Sequence, residues 1–170
     1  MSRGEWITRA TIWLALGCYF VAEAIRLRSP RAEGWRRAAR GCWTLGCAAY
    51  LAHVVAAFGS YHGWSHAAAY RDTARQTKEL FGWDWGGGLF ANYFFTFCWV
   101  VDVADWWRRG LEGRALRPRW LSMLWHGFLF FMVFNATVVF GHGPARWLGI
   151  AGCGVLVFFF LAAQKRNRMA

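Results

Sequence analysis

The chain has 170 residues, of which 57% are hydrophobic and 19% aromatic, and its formal net charge is +11. This apolar content is well above that of an ordinary soluble domain, and the length leaves room for one membrane domain rather than two. Because the cationic residues are concentrated between apolar stretches, anionic lipid headgroups account for the charge better than nucleic acid does, and no nucleic-acid partner is expected.

Five apolar stretches follow one another, and each approaches the ~20 residues that a helix needs to cross the hydrocarbon core. Alternation of the kind found in membrane β-barrel strands is missing from these stretches, and lipid cannot satisfy an irregular backbone. The predicted fold is therefore all-α, a polytopic transmembrane helical bundle that forms one domain over residues 1–170. The predicted spans are residues 6–25, 41–59, 88–107, 120–141 and 147–163.

Arginine clusters fall on alternate connections and give the bundle a predicted orientation. The first connection, the third connection and the segment after the last span hold 14 of the 20 cationic residues, namely Arg26, Arg28, Arg31, Arg36, Arg37, Arg40, Arg108, Arg109, Arg114, Arg117, Arg119, Lys165, Arg166 and Arg168. The positive-inside rule places that side in the cytoplasm, so the N-terminus is expected outside and the C-terminus inside, in a bacterial inner (plasma) membrane. Reading the first stretch as a signal peptide cleaved near Ala22-Glu23-Ala24 would leave six of these arginines outside, and is disfavoured.

The second connection, residues 60–87, is long and predicted to lie outside. Residues 65–81 read as a helix on the membrane surface, with Ser65 as N-cap and Gly82 as the C-terminal stop. The five cysteines all lie inside predicted spans without a CxxC pair, which favours small buried hydrophobes over a metal or redox role.

Ionisable and amide side chains inside a bilayer are costly, so each is a candidate functional residue. The predicted outer group contains four histidines, His53, His62, His66 and His142, with Tyr50, Asn92 and Asn135 nearby. Imidazole is a ligand for zinc, copper and haem iron. The four histidines are the predicted ligands of haem or a transition metal (iron, copper or zinc), and the other three side chains would contact the cofactor. The alternative is that the two loop histidines are solvated and that His53 is a hydrogen-bonded core residue.

The predicted inner group contains Glu23, Asp102, Asp105 and His126. Asp105 is spaced to pair with Arg109 and Glu23 with Arg26, each within one helix. A buried hydrogen bond between Asp102 and His126 is predicted, either structural or part of a proton relay.

Three classes of function remain open. The first is a small redox or metal-binding membrane subunit that uses the outer histidines. The second is a component that transports protons or a small solute between the outer and inner groups. The third is a non-catalytic assembly subunit, either as a homo-oligomer or within a larger membrane complex.

Overall fold

The structure, a computed structural model, describes residues 3–28, 32–111 and 117–169, with side chains as far as Arg166. Among the clustered arginines, Arg31, Arg114 and the side chain of Arg168 lie outside the described residues. The described part is helical throughout and contains no strand, which confirms the all-α prediction. Its elements are α1 (Arg3–Arg28), α2 (Glu33–His62), α3 (His66–Phe81), α4 (Gly88–Arg109), α5 (Arg119–Phe134), a π-helix (Asn135–Val139) and α6 (Gly143–Met169).

Among the residues that the structure describes, four helical segments are long and apolar enough to cross a membrane: α1, α2, α5 with its π-helical continuation, and α6. A membrane location is consistent with these four. The remaining predicted span, residues 88–107, corresponds to α4, which has 22 residues but is not among the four. Asp102 and Asp105, with Arg108 and Arg109, lie in its second half and lower its hydropathy.

Helices α1 and α2 form an antiparallel hairpin with the most extensive contact in the bundle, and α6 packs against α1. Gly46 permits the close approach of the hairpin, because a Cβ there would lie 3.0 Å from both Cys18 Cβ and the Trp99 ring. The core is aromatic at its centre. Trp43 on α2 is fully buried, with its ring centroid 5.6 Å from that of Tyr19 and 5.2 Å from that of Trp99.

One end of the bundle gathers the arginine-rich helix ends, and we call it the basic end. There Arg166 donates to the Leu27 carbonyl oxygen over 3.1 Å, and Arg119 donates to Gln164 Oε1 over 3.2 Å. The Arg40 guanidinium lies 4.0 Å from the centre of the Trp107 ring, which joins the start of α2 to the end of α4. The arginine clusters predicted from the sequence therefore lie at one end of the bundle, where α1, α4 and α6 end and α2 and α5 begin.

The prediction of a helix in the second connection is confirmed, with both of its caps. The Ser65 hydroxyl accepts from Ala68 N over 3.2 Å, and Gly82 adopts a left-handed conformation (φ 76°) with its N–H bonded to the Lys78 carbonyl oxygen. Both signals are local, which is why sequence alone located them. Whether α3 lies on a membrane surface stays a prediction.

The fourth predicted span changes helix type before it ends. The Phe140 N–H bonds the Asn135 carbonyl oxygen over 2.9 Å, an i→i+5 bond that defines the π-helical turn. Within this turn Thr137 is buried and donates to the Val133 carbonyl oxygen over 2.8 Å. Helix α6 packs directly on this turn through Gly149.

Replacing Gly149 by alanine is expected to destabilise the bundle. The new Cβ would lie 2.5 Å from Thr137 Cβ and 2.6 Å from its Oγ1, so α6 or the π-helical turn has to shift. Overpacking of this kind costs about 1–3 kcal/mol, against a gain of up to about 1 kcal/mol in helix propensity. Unfolding in mixed micelles of mild detergent and sodium dodecyl sulfate, followed by tryptophan fluorescence, measures the difference.

The matched control is Gly154→Ala on the same helix, where no heavy atom lies within 4 Å of the new Cβ. This variant should be as stable as the parent or slightly more stable. Equal unfolding midpoints for the two variants would contradict the close packing at Gly149.

Candidate functional site

Near the basic end, α1 and α5 bring together a buried carboxylate and a buried imidazole. His126 Nδ1 lies 2.9 Å from Glu23 Oε1, and both side chains are buried. The other carboxylate oxygen, Glu23 Oε2, accepts from Arg26 Nε over 2.8 Å and from Arg26 Nη2 over 2.5 Å. The predicted Glu23–Arg26 pair is thus confirmed, and His126 joins it from a different helix.

A second ionic cluster lies on α4 and on the residues just before α5. Arg117 donates from Nη1 to Asp102 Oδ1 over 2.7 Å and from Nη2 to Asp105 Oδ2 over 2.6 Å. The predicted Asp105–Arg109 pair is confirmed, with Arg109 Nε donating to Asp105 Oδ1 over 2.6 Å. The structure therefore gives Asp102 and His126 different partners, Arg117 and Glu23. A direct bond between Asp102 and His126 stays a prediction.

Two cavities meet at Tyr19, which is buried on α1 one turn before Glu23. The larger, of about 320 Å³, lies between α1, α5 and α6 near the basic end, with Glu23, Arg26 and His126 in its wall. The smaller, of about 50 Å³, lies deeper and is lined by Tyr50 and Asn92, among apolar side chains. Tyr19 lines both cavities. Its side chain thus lies between the Glu23–His126 pair and polar groups nearer the opposite end.

The three residues predicted to contact a cofactor do not line one cavity together. Tyr50 and Asn92 share the small cavity, and the Tyr50 ring stacks on that of Trp99 with the ring centroids 5.7 Å apart. Asn135 instead donates from Nδ2 to the Phe131 carbonyl oxygen of its own helix over 2.8 Å.

The four histidines of the predicted outer group have different surroundings. His53 Nδ1 lies 2.9 Å from the Thr8 carbonyl oxygen, so that nitrogen carries the proton, and the imidazole ring lies 6.2 Å from that of Tyr50. His66 Nδ1 lies 2.9 Å from the Tyr93 hydroxyl, and the imidazole stacks on the Tyr93 ring with the ring centroids 5.8 Å apart. His142 is exposed, between the π-helix and α6.

His62 and His66 do not share a helical face, because the helix breaks between them. His62 ends α2, Gly63 takes a left-handed conformation (φ 54°), and His66 begins α3. Among the residues that the structure describes, no group of three or more histidine, cysteine, aspartate or glutamate side chains is arranged to hold a metal ion. A haem or metal site at His53, His62, His66 and His142 stays a prediction.

Sequence reasoning missed two residues of this region. Tyr19 lies four residues before Glu23 and so shares its helical face, a signal that was available from spacing. Arg117 was counted only as a cytoplasmic charge, and no local pattern links it to Asp102, fifteen residues earlier. Finding that pair requires the position of the α4–α5 connection in space.

In its described part the chain is an all-helical protein with four helices long and apolar enough to cross a membrane. No protein-family model matches the chain, and neither a curated protein nor a solved structure matches it.

Proposed function

We propose that this protein is a proton-transporting membrane protein in which protons move between the Glu23–His126 pair and the opposite end of the bundle by way of Tyr19. The observation that carries the proposal is the position of Tyr19 in the walls of both cavities. In this proposal α4 also crosses the membrane, which makes five spans in all. The basic end faces the cytoplasm, and α3 lies on the outer surface.

The length of α4 supports its role as a span. Its 22 residues extend about 33 Å at 1.5 Å per residue, which matches a hydrocarbon core of about 30 Å. Its acidic residues lie close to the basic end, where Arg109 and Arg117 bind them. Its charges are therefore compensated near a headgroup region rather than left at the bilayer centre.

The Glu23–His126 pair has the chemistry of a proton acceptor that works inside a membrane. His126 Nδ1 lies 2.9 Å from the carboxylate; an arriving proton converts the ring to imidazolium, which the adjacent carboxylate stabilises. Arg26 holds the other carboxylate oxygen in place. By the rise per residue, Glu23 and His126 lie ~8–10 Å from the helix ends at the basic end, within reach of water there.

The small cavity supplies the next step of the path. A water needs about 10–15 Å³ of accessible space and two to four polar partners, and the 50 Å³ cavity has Tyr19, Tyr50 and Asn92 in its wall. Water there could bridge the two tyrosine hydroxyls. Beyond it, His53 lies beside Tyr50 and near the opposite end of the bundle. The path thus joins the inner and outer polar groups.

This proposal is preferred to the metal or haem subunit because its groups already meet. Glu23, Arg26 and His126 are in direct contact, and Tyr19 links their cavity to Tyr50. By contrast, His62 and His66 lie on different helices, and His53 and His66 bond to different partners.

Proton flux into liposomes tests the proposal. Purified protein is reconstituted with a pH-sensitive dye inside, and a potassium diffusion potential is set with valinomycin. The parent protein should carry protons faster than empty liposomes. Tyr19→Phe keeps the ring but removes the hydroxyl, and should lower the flux about tenfold, which corresponds to about 1.4 kcal/mol, or one hydrogen bond. Glu23→Gln should lower it at least as much.

The matched controls make the same chemical changes away from the path. Tyr61→Phe alters an exposed tyrosine, and Glu33→Gln alters an exposed carboxylate paired with Arg37. Both should conduct like the parent. Flux at the level of empty liposomes for the parent, or equal flux in Tyr19→Phe and Tyr61→Phe, would refute the proposal.

A further inference from the structure

The 320 Å³ cavity is larger than a proton path requires. Its volume lies at the lower end of the ~300–1,000 Å³ range of small-molecule sites. Its polar groups, Glu23, Arg26, His126 and Ser122, come from α1 and α5. The remaining lining comes from all three helices and, apart from the Tyr19 hydroxyl, is apolar, as at Leu27, Phe130, Leu156 and Val157. A mostly apolar cavity with a few polar groups is typical of a ligand site.

The cavity opens on the side that faces lipid. Met123, Val157 and Phe160 line it and are also exposed on the apolar flank of α5 and α6. Helices α5 and α6 pack together mainly at the π-helical turn and contact each other sparsely nearer the basic end, where the cavity forms a gap between them. A ligand that enters through this gap comes from the bilayer, and its apolar tail can stay in the lipid while its polar part reaches His126.

The charges in the wall favour a neutral ligand. The Glu23 carboxylate already bonds Arg26 and His126, so an anionic head would meet a buried like charge, and a cationic head would meet Arg26. A neutral group with oxygens can hydrogen-bond Ser122 and the Glu23–His126 pair. The rings of Tyr19, Phe130 and Phe160 offer faces and edges to a planar ring.

From these features we propose that the cavity binds the ring of a membrane-soluble quinone or quinol, with its tail in the lipid. Such a ring is neutral and planar, and its oxygens accept hydrogen bonds in one form and donate them in the other. The inference rests on the proposed function, because it places the ligand against the same Glu23–His126 pair. The quinone proposal and the proton-transport proposal can fail separately. Quinone binding is measured without a proton gradient, and proton flux is measured in quinone-free liposomes.

Equilibrium binding of a radiolabelled short-chain quinone to the protein in lipid nanodiscs tests this site, with binding to empty nanodiscs subtracted. The parent should show saturable binding of one quinone per chain. Val157→Phe places a larger side chain in the cavity and should weaken binding about tenfold or more. Val155→Phe is the matched control on the same helix: Val155 is 49% exposed and Val157 45%, and Val155 does not line the cavity. It should bind like the parent.

A second pair of variants covers the case in which Val157→Phe does not fold. Gly127 lines the cavity and Gly154 does not, and a Cβ at either position meets no heavy atom within 4 Å. Gly127→Leu should lose binding, and Gly154→Leu should retain it. The proposal is overturned by the absence of saturable quinone binding in the parent, by equal affinity in cavity and control variants, or by radiolabelled oleate binding at the site in place of quinone.

Discussion

Replacement of Arg117 by alanine is expected to be one of the two most destabilising single changes in this protein, at about 3–5 kcal/mol. The Arg117 side chain is only 12% exposed and binds Asp102, whose side chain is 0% exposed. Removing the guanidinium takes away the cation that Asp102 Oδ1 binds, so less of the desolvation cost of this buried carboxylate is offset. The free energy of unfolding in mixed micelles measures the loss.

Arg109 supplies the control, because it binds Asp105, the other carboxylate that Arg117 contacts, from an exposed position. Its side chain is 55% exposed, so Arg109→Ala should cost only about 0–1 kcal/mol. Adding Asp102→Asn to Arg117→Ala should recover much of the lost stability, since the buried negative charge that Arg117 had offset is then gone. A loss in Arg117→Ala no greater than that in Arg109→Ala would contradict this account.

Truncation of Trp43 to alanine is expected to cost about 3 kcal/mol, at the lower end of the range for Trp→Ala in protein cores. Trp43 is 0% exposed and packs against Tyr19, Trp99 and His126. Lipid is as apolar as this core, so little of the cost is transfer from water. Most of the cost is lost van der Waals attraction, because the side chains around the new cavity no longer have an indole ring to pack against. The same unfolding measurement applies.

Trp147→Ala removes an equally large side chain from an exposed position on α6 and should change stability by less than about 0.5 kcal/mol. Trp43→Phe, which keeps one ring, should fall between the two. If Trp43→Ala were as stable as Trp147→Ala, the aromatic cluster would not be the centre of the packed core.

Interactions within one helix were the predictable part of the site. The pairs Glu23–Arg26 and Asp105–Arg109 follow from spacings of three and four residues, and both are present. The two caps of α3 depend equally on near neighbours. The π-helical turn was missed because the sequence around Asn135 reads as a continuous apolar helix, and its i→i+5 bonding has no distinct local pattern.

Interactions between helices were the unpredictable part. His126 lies against Glu23, and Asp102 binds Arg117. Neither contact follows from local spacing, because a contact between helices requires two helices to be neighbours with the correct faces turned together. The predicted bond between Asp102 and His126 stays a prediction.

The sequence by itself determined the all-helical architecture, the clustering of arginines at alternate connections, and three ionisable residues that are buried, Glu23, Asp102 and His126. These properties depend on composition and on periodicity along one chain segment. Only the tertiary structure decided which of those residues meet, that Tyr19 lines two cavities, and that one cavity lies between α1, α5 and α6. The physical reason is that contacts and cavities depend on how side chains of different helices interdigitate, which local sequence does not encode.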